Sequence, residues 1–163
     1  MVTIRKATVD DLDEITEIYN DAILNTLGTF DTETKKGNEQ KSWFTTHNSH
    51  YPILIAEYEG SVIGWGSLSK WSNRSAYSGT AEISLYVREK HRQKGVGRRL
   101  ITAILHEGKK AGVHTIIARI AEGNDISIHL HKSVGFIHIG TMKEVGRKFG
   151  KLLDVHLMQF IYI

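Results

Sequence analysis

A basic segment with two closely spaced glycines is the part of the sequence best suited to bind an anion. It reads Arg92-Gln93-Lys94-Gly95-Val96-Gly97-Arg98, and it lies between an alternating stretch typical of a strand and a stretch with helical spacing. The first turn of a helix has unpaired backbone N–H groups and the positive end of the helix dipole. Two glycines let a phosphate reach those groups, and arginine and lysine add charge and hydrogen-bond donors. The segment therefore predicts a site for one compact anion such as a pyrophosphate.

The positive charge of the chain is concentrated around this segment. Of 21 Lys and Arg residues and 18 Asp and Glu residues, six basic residues and one acidic residue lie between Arg88 and Arg99. The rest of the chain holds 15 basic and 17 acidic residues, a slight negative excess. A protein that binds nucleic acid usually spreads positive charge over a whole face, so we expect no nucleic-acid partner. A solvated charged turn is the alternative interpretation of the charge alone.

Composition excludes several classes of protein. A length of 163 residues, with 40% hydrophobic and 24% charged residues, is typical of one globular domain, here residues 1–163. The absence of cysteine removes disulfides, thiolate metal ligands and a cysteine nucleophile. His129 and His131 form an H-x-H pair without an evident third ligand, so we expect no metal site. No apolar run reaches the roughly 20 residues of a membrane helix, and the N-terminus lacks a signal-peptide pattern, so we expect a cytoplasmic protein without a membrane partner.

The spacing of apolar residues predicts the elements that would position the basic segment. Strands are expected at residues 2–7, 53–58, 61–68, 80–87, 114–121, 135–140 and 152–161, with a glycine-rich link between the last two. Helices are expected from Thr8 to about residue 25, at 39–46 and 95–111, and from Asp125. The stretch from Asp125 to Leu130 alternates like a strand, but Asn124 is a good helix cap and Gly135 a good helix stop. Gly64 and Gly66 indicate a bulge or a close backbone approach. This order predicts an α/β fold with a mixed central sheet.

Several motifs, in order along the chain, resemble one family. The segment Arg92–Gly97 looks like the R/Q-x-x-G-x-G/A signature of the GNAT acyltransferases, which binds the pyrophosphate of acetyl-CoA. Further motifs are similar to the phosphinothricin acetyltransferase-like branch: Thr80–Val87, Gly28–Phe30, Asn73–Tyr77, Asn124-Asp125, Leu130–Phe136 and Gly150–Gln159. The resemblance implies a mixed, mostly antiparallel central sheet flanked by helices. It also implies that strand 80–87 splays from strand 114–121 and that acetyl-CoA lies between them.

The resemblance also implies which residues hold acetyl-CoA. Backbone groups of Leu85, Tyr86 and Val87 would bind the pantetheine arm, and Asn124 matches a position that contacts the cofactor. The pyrophosphate would be held by Arg92, Gln93, Lys94, Gly95, Val96, Gly97 and Arg98.

Acetyl transfer to an amine requires a base, a polarised thioester carbonyl and a proton for the leaving thiolate. Glu82 is the candidate base, directly or through a water; it shares a strand face with Ser84 and Tyr86 and falls on the proposed catalytic glutamate of the branch. The resemblance makes His131 the candidate proton donor, and a backbone N–H near Val87 the oxyanion donor. A solvent-facing glutamate and a packing histidine are the alternatives. Without cysteine, no acyl-cysteine can form, so direct transfer in a ternary complex is expected.

The resemblance implies an acceptor pocket shaped by Phe30, Arg74 and Tyr77. An arginine suits a substrate carboxylate, which favours a small amino-acid-like amine of the phosphinothricin or methionine sulfoximine type. Leu152-Leu153 stands where the branch often has an aromatic residue, which weakens the expectation for phosphinothricin itself. The alternatives are a protein or peptide N-acetyltransferase and a non-catalytic acyl-CoA sensor. Members of the branch are commonly homodimers, so a homodimer is expected.

Overall fold

The computed structural model describes residues 1–47 and 50–163. Within these residues seven strands form one sheet, in the order β1-β2-β3-β4-β5-β7-β6. The strands are β1 Thr3–Lys6, β2 Ile53–Tyr58, β3 Ser61–Lys70, β4 Thr80–Val87, β5 Thr115–Ala121, β6 Ile137–Lys148 and β7 Lys151–Ile161. Among these described strands only β4 and β5 pair in parallel, and the other neighbours pair antiparallel. The mixed, mostly antiparallel sheet expected from the sequence is confirmed.

Helices cover both faces of this sheet. They are α1 Leu12–Asn25, α2 Gly37–Thr46, α3 Val96–Lys110 and α4 Asp125–Ser133. The segment with strand-like alternation is therefore a helix, as its caps indicated. The side chain of Asn124 accepts a hydrogen bond from the backbone N–H of Ser127, and Gly135 follows the helix with a φ of 108°. The alternation of polar and apolar residues in α4 does not reflect burial, because the apolar Ile126 is 64% exposed.

Successive side chains of β2 and β3 point to opposite faces of the sheet, so the core consists of two layers. On one face, Leu100, Ile101 and Ile104 of α3 are fully buried against the sheet. On the other face, Ile15 and Ile18 of α1 pack against a cluster that includes Ile53, Ile55, Val62 and Trp65.

Gly66 lets α3 approach the sheet closely. A Cβ atom there would lie 3.0 Å from Leu85 Cδ1 and would overlap Ile104. At Gly64 it would lie 3.2 Å from Leu100 Cδ1. A bulge also lies beside Gly64, which pairs with Ala56 while the next pair is Glu57 with Val62. Both features indicated by the two glycines are confirmed.

Strands β4 and β5 separate part-way along their length. They pair from Thr80–Thr115 to Glu82–Ile117, and beyond that point the described structure shows no pairing between them. Backbone groups of residues 83–87 that face β5 therefore have no partner in that strand, and those not bonded elsewhere are available for a ligand. The predicted splay is confirmed, and it fixes the position of the site.

The predicted end of the sheet needs a correction. A strand is present where 135–140 was expected, but β6 begins at Ile137 and continues to Lys148. The expected glycine-rich link is wrong, because β6 joins β7 through a tight turn. Register shifts occur between His138 and Gly140 and between Met142 and Gly146, and Glu144 has a φ of 52°. Bulges accommodate these residues within a strand, so glycines that suggest a loop belong to the sheet.

Neither a membrane-spanning helix nor a cluster of metal-ligating side chains is found among the described residues. In the described part of the chain, no helix is long and apolar enough to span a bilayer. Among residues 1–47 and 50–163, no group of three or more His, Cys, Asp or Glu side chains is placed to hold a metal ion.

Candidate active site

A cleft of about 650 Å³ opens where β4 and β5 separate. Its walls are the end of β4, the N-terminal end of α3, the length of α4, and part of α1 with the segment that follows it. The lining includes most of the predicted cofactor residues: Leu85, Tyr86, Val87, Arg92, Gln93, Gly95, Gly97, Arg98 and Asn124. Two predicted residues are placed differently: Lys94 is exposed beside the cleft, and Val96 is buried in the core at 4% exposure.

The N-terminal end of α3 presents free backbone donors to this cleft. The first helical hydrogen bond runs from the N–H of Arg99 to the carbonyl oxygen of Gly95, at 3.1 Å. The N–H groups of residues 96–98 precede it and have no partner within the helix. Gly95 has a φ of 83° and Gln93 a φ of 59°. Such a succession of left-handed and helical residues aims neighbouring N–H groups at one point, which suits an anion.

Two arginines beside these amides are held by neighbouring elements. Arg92 Nε donates to the carbonyl oxygen of Val87 at 2.9 Å, and Arg98 Nη1 donates to Ser133 Oγ at 3.0 Å. A guanidinium has five N–H donors, so both side chains keep donors for a ligand. Side chains and backbone donors therefore combine at the end of the cleft that suits a pyrophosphate.

A second cavity, of about 290 Å³, meets the cleft at Tyr86, which lines both. Its aromatic wall comes from three further elements: Tyr19 lies 5.2 Å and Trp65 5.0 Å from Tyr86 between ring centroids, and Trp43 packs on Trp65. The polar lining consists of Asp31, Lys35, Glu39, Gln40, Ser67, Ser69 and Ser84. This cavity was missed by sequence reasoning. The signal was present in β3, where Ser67 and Ser69 lie on the same strand face as Trp65 and make that face partly polar.

The side chain of Tyr86 lies between the cleft and the second cavity, and its phenol is neutral. Burial is the main cause that raises the pKa of Tyr86, and the negative charges of Asp31 and Glu82 raise it further while Arg119 opposes them. The hydroxyl therefore stays protonated at neutral pH and is available as a hydrogen-bond donor.

Glu82 lies beside the second cavity and is paired with an arginine. Its cross-strand neighbour Ser69 lines that cavity. Arg119 Nε donates to Glu82 Oε2 at 2.5 Å and Arg119 Nη2 donates to Glu82 Oε1 at 2.8 Å. The hydrogen bonds that Arg119 donates to Glu82 are the largest cause of the raised pKa of Arg119. Arg119 was missed by sequence reasoning, although it is the one charged residue within the apolar strand β5.

His131 is buried beneath the cleft. It is 4% exposed and packs edge-on against Phe136, with 5.0 Å between the ring centroids. Its Nδ1 lies 2.7 Å from the carbonyl oxygen of Ser127, so Nδ1 carries the proton and donates it. Burial lowers the pKa of His131. His131 is not among the described residues that line the cleft, although its neighbour Leu130 is, and its role as proton donor stays a prediction.

The three predicted acceptor residues do not meet in one pocket. The Phe30 ring packs over Gly146 of β6, and it precedes Asp31 of the second cavity. Arg74 and Tyr77 are exposed in the turn between β3 and β4. In the part of the chain that the structure describes, neither lines the cleft or the second cavity. Their roles in substrate binding stay predictions.

Comparison with known families decides between an acyl-CoA site and other anion sites. Residues 4–157 match the acetyltransferase (GNAT) domain. The chain belongs to the GNAT acetyltransferase family. Members of this family use acetyl-CoA as acyl donor, and the cleft fits that molecule: it combines free amides and arginines at one end with an unpaired strand edge along β4.

Three relatives show how closely the chain follows this family. The L-methionine sulfoximine/L-methionine sulfone acetyltransferase of Pseudomonas aeruginosa is 40% identical over 159 residues, which cover 96% of this chain and 92% of that protein. The structure of a phosphinothricin acetyltransferase from Sinorhizobium meliloti in complex with acetyl-CoA has a TM-score of 0.95 and 35% identity, covering 98% of this chain and 88% of that one. The structure of a ribosomal-protein-alanine N-acetyltransferase from Brucella melitensis has a TM-score of 0.95 and 38% identity, covering 98% and 99%.

Proposed function

We propose that this protein transfers the acetyl group of acetyl-CoA to the amine of a small amino-acid-like acceptor. The strongest support is that the acyl-CoA cleft meets a second cavity of about 290 Å³ at Tyr86. A cavity of this size suits a small molecule rather than a folded protein surface. The names of two relatives support the same class, because methionine sulfoximine and phosphinothricin are both amino-acid analogues.

The proposed cofactor residues are those of the cleft lining together with Lys94 and Val96, which flank it. Backbone groups of Leu85, Tyr86 and Val87 would bind the pantetheine arm, because the splay leaves this strand edge unpaired. Asn124 would contact the cofactor from the start of α4. The pyrophosphate would lie against the free amides of α3 and be held by Arg92, Gln93, Lys94, Gly95, Val96, Gly97 and Arg98, with Lys94 acting through its charge.

Bound acetyl-CoA supplies the acetyl group as a thioester. Glu82 is the proposed base and accepts one proton from the acceptor ammonium, directly or through a water, so that an N–H bond breaks and an O–H bond forms. The nitrogen lone pair then attacks the thioester carbon, the C–S bond breaks, and the nitrogen releases its second proton, which balances the proton that the leaving thiolate takes up. A backbone N–H near Val87 would stabilise the oxyanion. His131 is the candidate donor of a proton to the thiolate, a role that requires a proton on Nε2 in addition to the one that Nδ1 donates to Ser127. Direct transfer of the acetyl group to the amine in a ternary complex is proposed, and an acyl-cysteine intermediate is impossible because the sequence has no cysteine.

The decisive experiment measures thiol release from acetyl-CoA against amino acids, methionine sulfoximine, phosphinothricin and short peptides. Turnover of one or more free amino-acid-like amines supports the proposal. Turnover of peptides alone would favour a protein N-acetyltransferase, the alternative that the Brucella relative suggests. Binding without turnover would favour an acyl-CoA sensor.

A matched pair of variants tests Glu82. Glu82→Gln should lower kcat at neutral pH and leave the KM for acetyl-CoA nearly unchanged, because the amide cannot accept the proton. Glu107→Gln changes the same charge in an ion pair at the far end of α3 and should keep full turnover. Equal activity of Glu82→Gln and the wild type would remove Glu82 as base.

The assembly and location of the protein complete the proposal. We expect residues 1–163 to form a single domain that works as a homodimer in the cytoplasm. Exposed apolar side chains on β6, β7 and their turn support a contact between two copies: Ile137, Ile139, Val145, Phe149 and Leu152. Analytical ultracentrifugation tests the dimer, and a fluorescent fusion tests the location.

A further inference from the structure

We propose that Arg119 binds the carboxylate of the acceptor and thereby releases Glu82 to take the proton of the acceptor's α-amine. This inference rests on the proposed function, and it adds the group that selects carboxylate-bearing acceptors.

The pairing of Glu82 with Arg119 leaves no carboxylate oxygen of Glu82 outside the ion pair. Each oxygen of Glu82 accepts a separate N–H of Arg119, at 2.5 and 2.8 Å. Each oxygen keeps a further lone pair, but an acceptor ammonium that approaches Glu82 also meets the positive charge of Arg119. A substrate group that attracts the guanidinium would open the pair for it.

Among the described residues Arg119 does not line the second cavity itself, but it lies beside Glu82 at the edge of that cavity, where its position makes it accessible to such a group. Glu82 and Ile117 form the last pair before β4 and β5 separate, and Arg119 lies two residues further along the same strand face. The side chain of Arg119 is 53% exposed, whereas that of Glu82 is 19% exposed. Two of its five N–H donors are used by Glu82, and the free Nη1 remains beside Nη2 as a fork for a carboxylate. The guanidinium carbon also lies 5.8 Å from the centre of the Trp71 ring, a cation–π contact that helps to hold the side chain in place.

The geometry of an α-amino acid matches this arrangement. One carbon atom joins the amine to the carboxylate, so a carboxylate held by Arg119 keeps the ammonium within reach of Glu82. The ammonium then gives one proton to the released Glu82 oxygen, and Glu82 later passes that proton to water. An amino-acid amide lacks the anion, and an ω-amino acid places its amine several bonds away. We therefore infer a preference for α-amino acids with a free carboxylate.

The test compares three acceptors: an L-amino acid that the wild type acetylates, its primary amide, and 6-aminohexanoate. The wild type should favour the acid over the amide in kcat/KM by about tenfold or more, the scale expected for a charge-assisted fork. Arg119→Met should lose about that factor on the acid, mainly through KM, and change the amide by less than about threefold. Arg119→Lys keeps the charge without the fork and should recover part of the preference. Lys110→Met, which removes an equal charge at the end of α3, should match the wild type.

Several outcomes would overturn the inference. Equal wild-type rates on the acid and the amide would do so, as would an equal loss on both acceptors in Arg119→Met. Loss of the preference in Arg74→Met but not in Arg119→Met would assign the carboxylate to Arg74. If Arg119→Met does not fold, as judged by its melting curve, the acid-to-amide ratio of Arg119→Lys decides. Absence of turnover with every amine, despite an acetyl-CoA thermal shift, would instead contradict the proposed function.

Discussion

The ammonium group of Lys148 donates a hydrogen bond of 2.7 Å to the carbonyl oxygen of Thr29. A second hydrogen bond of 2.7 Å joins it to the carbonyl oxygen of Thr26. Lys148 is only 5% exposed, and burial lowers its pKa. The segment that it holds contributes Gly28 to the cleft and Asp31 to the second cavity. One buried side chain of β6 thus fixes a segment that borders both spaces.

Replacing Lys148 should therefore affect stability and both substrates. Lys148→Met leaves two carbonyl oxygens without their partner and should lower the free energy of unfolding by about 1–3 kcal/mol. Urea denaturation measures this loss, and steady-state kinetics should show a higher KM for acetyl-CoA and for the acceptor. Lys151→Met removes an exposed lysine three residues away and should change neither the free energy of unfolding nor the two KM values. Unfolding curves of Lys148→Met that coincide with the wild type would refute the anchoring role.

The contact between Phe30 and Gly146 permits a more selective test. A Cβ atom at position 146 would lie 3.0 Å from Phe30 Cζ and would overlap two other ring atoms. Gly146→Ala should therefore displace the Phe30 ring and raise the KM for the acceptor, with a smaller effect on the KM for acetyl-CoA. Gly140→Ala, in the same strand, is the control, because no described atom lies within 4 Å of its added Cβ. Identical acceptor kinetics in the two variants would exclude Phe30 as a wall of the acceptor site.

The cofactor side of the site could be predicted from the sequence better than the acceptor side. The free amides near Gly95 depend on neighbouring residues and on the start of one helix, which spacing alone reveals. The second cavity joins Tyr19, Trp43 and Trp65 from three elements, and their apolar character suggests a core position rather than a wall. The contact of Arg119 with Glu82 depends on the register of two strands distant in sequence. Periodicity carries no information about that register.

The left-handed backbone at Gly95 should matter more for the cofactor than for the fold. Gly95→Ala introduces a side chain at a φ of 83°, which costs about 1 kcal/mol of stability and distorts the first turn of α3. A several-fold rise in the KM for acetyl-CoA is expected. Gly112→Ala is a close control: Gly112 has the same φ of 83° at the other end of α3, and no described atom lies within 4 Å of either added Cβ. Equal KM values for acetyl-CoA in these two variants would show that the turn does not bind the cofactor.

The buried His131 predicts a pH dependence of stability with a definite sign. Its pKa is lowered by burial in the folded protein and is about 6.5 in the unfolded chain. Below about pH 6.5 the unfolded chain binds a proton that the folded protein does not, so the free energy of unfolding decreases as the pH falls toward the lowered pKa. Between pH 7 and pH 5, His131→Gln should show a shallower decrease than the wild type in urea denaturation, whereas His106→Gln, at an exposed position of α3, should follow the wild type. Parallel curves for the wild type and His131→Gln would contradict the assignment. The same variant separates two roles of His131, because a histidine that only packs would change this slope without lowering kcat, while a proton donor to the leaving thiolate would change both.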